Sequence, residues 1–167
     1  FDVERVDPWI QAVFLQDASI RQGMVKYRGV LEYQIENTSL KTLRVALPDA
    51  AQGVAFTGNQ VSDLPVKGDT VEDGRAVWDV KLDRRMIGKY QLTVSYQVQV
   101  PLAEDAAESP VEVQSLQAVD VNLQRGFISV RSEGRILLEE DLPPDGLKKV
   151  EWSQVPRSLK GALNLEE

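Results

Sequence analysis

The chain contains no histidine and no cysteine. Without His there is no Ser-His-Asp triad and no imidazole base. Without Cys there is no thiol nucleophile, disulfide, iron–sulfur cluster or thiolate zinc site. Chemistry is left to carboxylates, Lys, Arg and Tyr, and only an oxygen-ligand site for calcium or magnesium stays open. The missing Cys fits a reducing cytosol. It equally fits a secreted bacterial domain whose core is large enough to fold without cross-links.

A surplus of positive charge is also lacking. Nineteen Lys and Arg face 26 Asp and Glu, for a net charge of −7. The densest basic spots are Lys81 with Arg84, Arg85 and Lys89, then Lys148-Lys149; each lies near an acid, namely Asp79, Asp83 or Glu151. Phosphate backbones require a basic stripe, so no nucleic-acid partner is expected. No run approaches the roughly 18 apolar residues of a membrane helix, and no direct membrane insertion is expected. The chain starts Phe1-Asp2-Val3 without the basic start and apolar run of a signal peptide, and it ends Asn164-Leu165-Glu166-Glu167. The chain reads as either a mature protein or a segment cut from a longer one, and both ends favour the segment.

What the chain does have is globular composition, 43 % apolar and 27 % charged over 167 residues, and period-two alternation. Over 88–100, Tyr90, Leu92, Val94, Tyr96, Val98 and Val100 share one face; Lys89, Gln91, Thr93, Ser95, Gln97 and Gln99 share the other. Residues 24–36 repeat the pattern with Val25, Tyr27, Leu31, Tyr33 and Ile35. Gly29 reads there as a bend or bulge, and Val30 interrupts the polar face. Asn37-Thr38-Ser39 supplies turn chemistry, and 40–47 return as a strand. Gly58-Asn59 predicts a hairpin from 53–57 into Val61. Lys67 to Gly74 reads as a polar loop, 76–82 as a strand, and Asp83-Arg84-Arg85 as a turn. Residues 103–110 are acidic and alanine-rich. Further on, 127–131 and 135–139 predict a hairpin and 147–152 a last strand. Residues 156–163 suit one or two helical turns, with Leu159 and Leu163 on one side. At the start, Asp7-Pro8 can open a helix to Gln16, but strand is preferred, with Asp17-Ala18-Ser19 as a turn.

Some ten short strands with little helix predict an all-β fold, an antiparallel β-sandwich of the immunoglobulin or fibronectin-III type or a larger Greek-key sandwich; a closed antiparallel barrel is the alternative. The expected organisation is a main sandwich over 1–102, an acidic loop or linker over 103–110, and further strands over 111–167 that complete the same domain, with a second small domain as the alternative.

Candidate sites are few. Trp9, Trp78 and Trp152 can form an aromatic platform for sugar rings. Trp78 and Trp152 share faces with apolar neighbours and read as core, leaving Trp9 as the uncommitted ligand contact. Asp69, Glu72 and Asp73 crowd a Gly like part of a calcium loop, but lack the alternating ligands and distant Glu of an EF-hand. Glu104, Asp105 and Glu108 invite the same reading with weaker geometry. Glu32, between Leu31 and Tyr33, is the one acid in an apolar run, and alternation turns it outward. Asn37-Thr38-Ser39 matches a glycosylation acceptor, although its turn role explains it without sugar.

From Tyr27 to Val100 the sequence resembles β-sandwich modules of large bacterial envelope or secreted proteins of unassigned function. The likeness rests on Tyr33-Gln34-Ile35-Glu36-Asn37, Leu43-Arg44-Val45-Ala46-Leu47-Pro48, the Gly53–Val61 segment, Trp78-Asp79-Val80-Lys81-Leu82 and Tyr90-Gln91-Leu92-Thr93-Val94-Ser95-Tyr96. Gly126-Phe127-Ile128-Ser129-Val130 and Gln154-Val155-Pro156 extend it. The resemblance implies an extracytoplasmic part of a multidomain protein with no assigned catalysis, and no cofactor is expected. The reading is therefore a structural or interaction module whose partners are other domains of its parent or other proteins. A carbohydrate-binding module and a carboxylate-based glycoside hydrolase are the alternatives.

Overall fold

In a computed structural model of the chain, the described residues are 7–21, 23–62, 65–72, 74–100, 115–132, 151–163 and 165. They form β1 (Trp9–Arg21), β2 (Met24–Pro48), β3 (Gln52–Gly58), β4 (Val66–Glu72), β5 (Arg75–Gln99), β6 (Gln117–Val119) and β7 (Leu123–Ser132). A 3-10 turn, Trp152–Gln154, and a short helix α1 (Arg157–Ala162) follow. The fold is all-β and sandwich-like. The strand order is β3-β5-β2-β1-β7, with β4 on β5 and β6 on β2, and the described strands do not close into a barrel.

Three expected turns are absent as turns, two of them in the longest strands. Asn37-Thr38-Ser39 lies inside β2 and Asp83-Arg84-Arg85 inside β5. The pairing of these 25-residue strands is regular from Met24↔Gln99 to Ile35↔Gly88, slips around Leu40↔Met86, and resumes from Thr42↔Lys81 to Pro48↔Arg75. Asn37 (φ 63°) and Gly88 (φ 82°) take left-handed backbone at the slip. Both triplets fall in the shifted, unpaired stretch of this ladder, where extra residues bend a strand and increase its twist. Apolar side chains from both arms, among them Tyr27, Leu31, Leu92 and Val94 on one and Leu43, Val45, Val80 and Leu82 on the other, enter one core cluster.

The chain crosses between the arms at the Gly58-Asn59 turn. Val61 makes a single bridge to Leu82 instead of a return strand on β3. Ser62 N donates to Lys81 O at 3.0 Å, and Asp83 N to Gln60 O at 2.6 Å. The polar segment after Lys67 is not a loop but β4, paired to β5 with a slip between Lys67 and Val71. The ladders are antiparallel except β1–β7, which is parallel.

β1 runs straight through Asp17-Ala18-Ser19 and lies inside the sheet between β2 and β7. Gly29 is neither bend nor bulge, for it pairs in register with Gln16 and Val94. A Cβ there would lie 2.6 Å from Leu116 Cδ2, so the glycine leaves room for the leucine that enters from before β6. Leu116 N also donates to the buried Gln16 Oε1 at 2.7 Å, which ties the β6 layer to β1.

The outer face of the sheet has a smaller cluster: Leu15, Val30 and Phe127 packed with Val155, Leu159 and Leu163 of the C-terminal segment. This accounts for Val30 on an otherwise polar face. The acidic stretch 103–110 and the strand read over 135–139 lie outside the described residues, as do 147–150 of the strand read over 147–152; the end of that segment is not strand, since Trp152 opens the 3-10 turn. β6 and β7 pair directly with β2 and β1.

Candidate functional site

Residues opposite one another in a ladder point to the same face, so pairing lays out the outer face in rows. The first is Thr93–Val30–Leu15–Phe127, where Leu15, Val30 and Phe127 belong to the cluster under α1. The second is Ser95–Arg28–Asp17–Ser129, and the third is Gln97–Lys26–Ser19–Arg131. The last two rows, Ser129 apart, line an open concavity of about 500 Å³ together with Arg21.

Asp17 is the anchor of this concavity. Its side chain is 2 % exposed, against 48 % for Arg131. Arg131 donates Nη2–H to Oδ2 at 2.8 Å and Nε–H to both oxygens at 3.2 Å, and the Ser129 hydroxyl donates to Oδ1 at 2.7 Å. The bidentate grip holds the guanidinium in one orientation while its other side stays open to solvent. Beside it Ser19 is 5 % exposed, and its hydroxyl has no hydrogen-bond partner among the described residues. Lys26 and Arg28 are exposed on the neighbouring strand. Asp17 and Ser19 follow Trp9, Gln11, Val13 and Leu15 at period two, the one sequence signal that could have drawn them out of the expected turn.

The residues singled out in sequence are not brought together. Trp9 begins β1 and is 43 % exposed. Trp78 packs against the main core, its ring 6.3 Å from that of Phe56. Trp152 packs with the outer cluster, and Lys160 Nζ sits 5.2 Å over its ring while donating to its carbonyl at 3.2 Å. Of the calcium candidates, Asp69 and Glu72 are exposed on β4; Asp73 lies outside the described residues, as do Glu104, Asp105 and Glu108. Among the described residues no three acidic side chains gather to hold a metal ion. Glu32 accepts from the Ser158 hydroxyl of α1 at 2.9 Å.

Elsewhere, Arg44 bridges Asp79 at 3.1 Å and Asp120 at 3.2 Å; the hydrogen bonds to Asp120 and then Asp79 raise its pKa. In the core the Tyr33 and Tyr96 hydroxyls lack partners among the described residues, and burial pushes both pKa values well above the usual phenol value.

No family model matches the chain, and no curated protein matches it. Solved structures with some likeness include a mutant M1 zinc metallopeptidase from Deinococcus radiodurans bound to a Tyr-Ser-Ala substrate (12 % identity, TM-score 0.36, 62 % of this chain and 23 % of that one). A two-domain M1 zinc metallopeptidase mutant bound to L-tryptophan gives 12 % identity and a TM-score of 0.36 over 59 % and 22 %. The chain thus spans under a quarter of the length of these enzymes. At this similarity neither bears on what it does.

Proposed function

We propose that the chain is a non-catalytic interaction module of a larger bacterial extracytoplasmic protein, and that it docks onto a neighbouring domain of its parent through its outermost strands. One observation carries this reading. Among the described residues six large apolar side chains are exposed, and four of them sit on strands at the margins of the sheet: Val66 (53 %) and Val71 (48 %) on β4, Leu123 (50 %) and Val130 (46 %) on β7. Natural edge strands are usually blunted with charge or proline, because an apolar edge invites another chain. Isolated exposed apolar residues are ordinary, whereas their concentration on edges favours a partner.

Support for a non-catalytic role is that Asp17, the buried carboxylate of the main concavity, is committed to Arg131 and Ser129. The extracytoplasmic assignment rests on the sequence resemblance. Among the described residues no helix is long and apolar enough to cross a membrane.

Amide hydrogen exchange of the chain alone and within the full-length parent tests the reading. β4 and β7 should gain protection in the parent, and Val66→Asp with Leu123→Asp should remove it. Identical exchange in both contexts overturns the docking. Turnover of a glycoside or peptide substrate that disappears on carboxylate-to-amide substitution overturns the non-catalytic assignment.

A further inference from the structure

We propose that the outer-face concavity is a phosphate-binding site, receiving a phosphoryl group between Lys26 and Arg131 against the Ser19 hydroxyl. The inference goes beyond the edge-docking reading and does not depend on it. Ser19 is the central observation: a hydroxyl nineteen-twentieths buried, lining the concavity, without a partner. Buried polar groups are nearly always satisfied, and an exception calls for a missing group. On this strand the missing group is an acceptor with negative charge, since Lys26 faces Ser19 from β2 and Arg131 faces it from β7.

Charge and geometry agree. Arg21, Lys26, Arg28 and Arg131 line the concavity with one carboxylate, Asp17, in a chain whose net charge is −7. Asp17 is taken by Arg131, and Lys26 and Arg28 add two further cations from β2, which matches a phosphate dianion better than a single carboxylate. Asp17 takes Nε and Nη2 of Arg131, so the guanidinium is oriented before any ligand arrives, and the cost of ordering a long side chain falls outside the binding step. The concavity of about 500 Å³ leaves room for the organic part of a phosphomonoester.

The test is a titration of isotope-labelled protein with inorganic phosphate at ionic strength held constant with chloride. The amides of Ser19, Lys26 and Arg28 should shift saturably. Ser19→Ala, which keeps every charge, should weaken binding about tenfold, the usual worth of a hydrogen bond to a charged group, without changing the unfolding midpoint. Lys26→Gln with Arg28→Gln should abolish binding, and Lys41→Gln, exposed elsewhere on β2, should not alter it. Glycerol phosphate and vesicles of phosphatidic acid in phosphatidylcholine separate the sources: displacement of phosphate by the soluble ester marks a free metabolite, and cosedimentation with the vesicles alone marks a lipid headgroup. Non-saturating shifts spread over surface cations, or a Ser19→Ala affinity equal to that of the parent protein, overturn the proposal.

Discussion

The outer face of the sheet is finished in two ways within a few residues. At Leu15, Val30 and Phe127 the strands present apolar side chains and the C-terminal segment covers them. One and two rows further on, at Asp17 and Ser19, the same strands present buried polar groups and leave a concavity. Strand, neighbours and backbone pairing are shared, so only side-chain chemistry decides whether the face is sealed by its own chain or left for something else. An apolar row is satisfied by any well-packed cover. A polar row is satisfied only by groups of the right charge and geometry, and here the protein supplies them to Asp17 but not to Ser19.

The sealed side should be the costlier to disturb. Leu159, fully buried over Leu15 and Val30, is the plug. Leu159→Ala is expected to lose about 2–5 kcal/mol in denaturant unfolding, with faster exchange at Val30 and Phe127 than at Asp17. Equal loosening of both rows would show that the outer face behaves as one unit. On the open side, Asp17→Ala removes hydrogen bonds from a guanidinium that water can partly rehydrate, at about 1.5–3 kcal/mol. The same measurement on Asp17→Asn should recover part of that.

The opposite side of the same strands supplies a contrast in packing. Gly29→Ala brings a methyl against Leu116 in the main core and should cost about 1–3 kcal/mol by overpacking, while leaving outer-face exchange unchanged. Tyr33→Phe should have the smallest effect: it deletes a buried hydroxyl without a partner and is expected to be neutral or to stabilise by up to about 1 kcal/mol. Tyr33 and Tyr96 also link stability to pH. Burial raises their folded pKa values above the unfolded value of about 10. Their contribution is therefore fully present below about pH 10 and is lost as pH rises further, because only the unfolded chain then releases protons readily. Thermal unfolding of the double variant Tyr33→Phe, Tyr96→Phe should fall less steeply above that pH.

Much of the strand content was legible because alternation is local. The faces of 24–36 and 88–100 appear in the structure as read, and Leu159 on α1 and Leu163 just after it are both buried in the outer cluster. The turns were legible only as chemistry. Asn37-Thr38-Ser39 and Asp83-Arg84-Arg85 carry turn residues, yet both fall where the β2–β5 ladder shifts register around Leu40↔Met86 and then resumes, so the preference emerged as an irregularity within a longer ladder. β4 is rich in polar residues and becomes a strand only because β5 offers an edge. The candidate site was hidden for a related reason: Asp17 and Ser19 sit in a segment of turn-like composition, and Arg131 is more than a hundred residues away.

Residue types and their two-residue rhythm were enough to specify an all-β chain, to exclude His and Cys chemistry, and to say which side chains face inward on the long strands, since each of these depends on a residue and its near neighbours. Pairing between distant segments decided the rest. The parallel contact of β1 with β7 brings Arg131 to Asp17 and leaves Ser19 between two cations, and no local pattern encodes it, because ladder partners are chosen by the packing of the whole sheet.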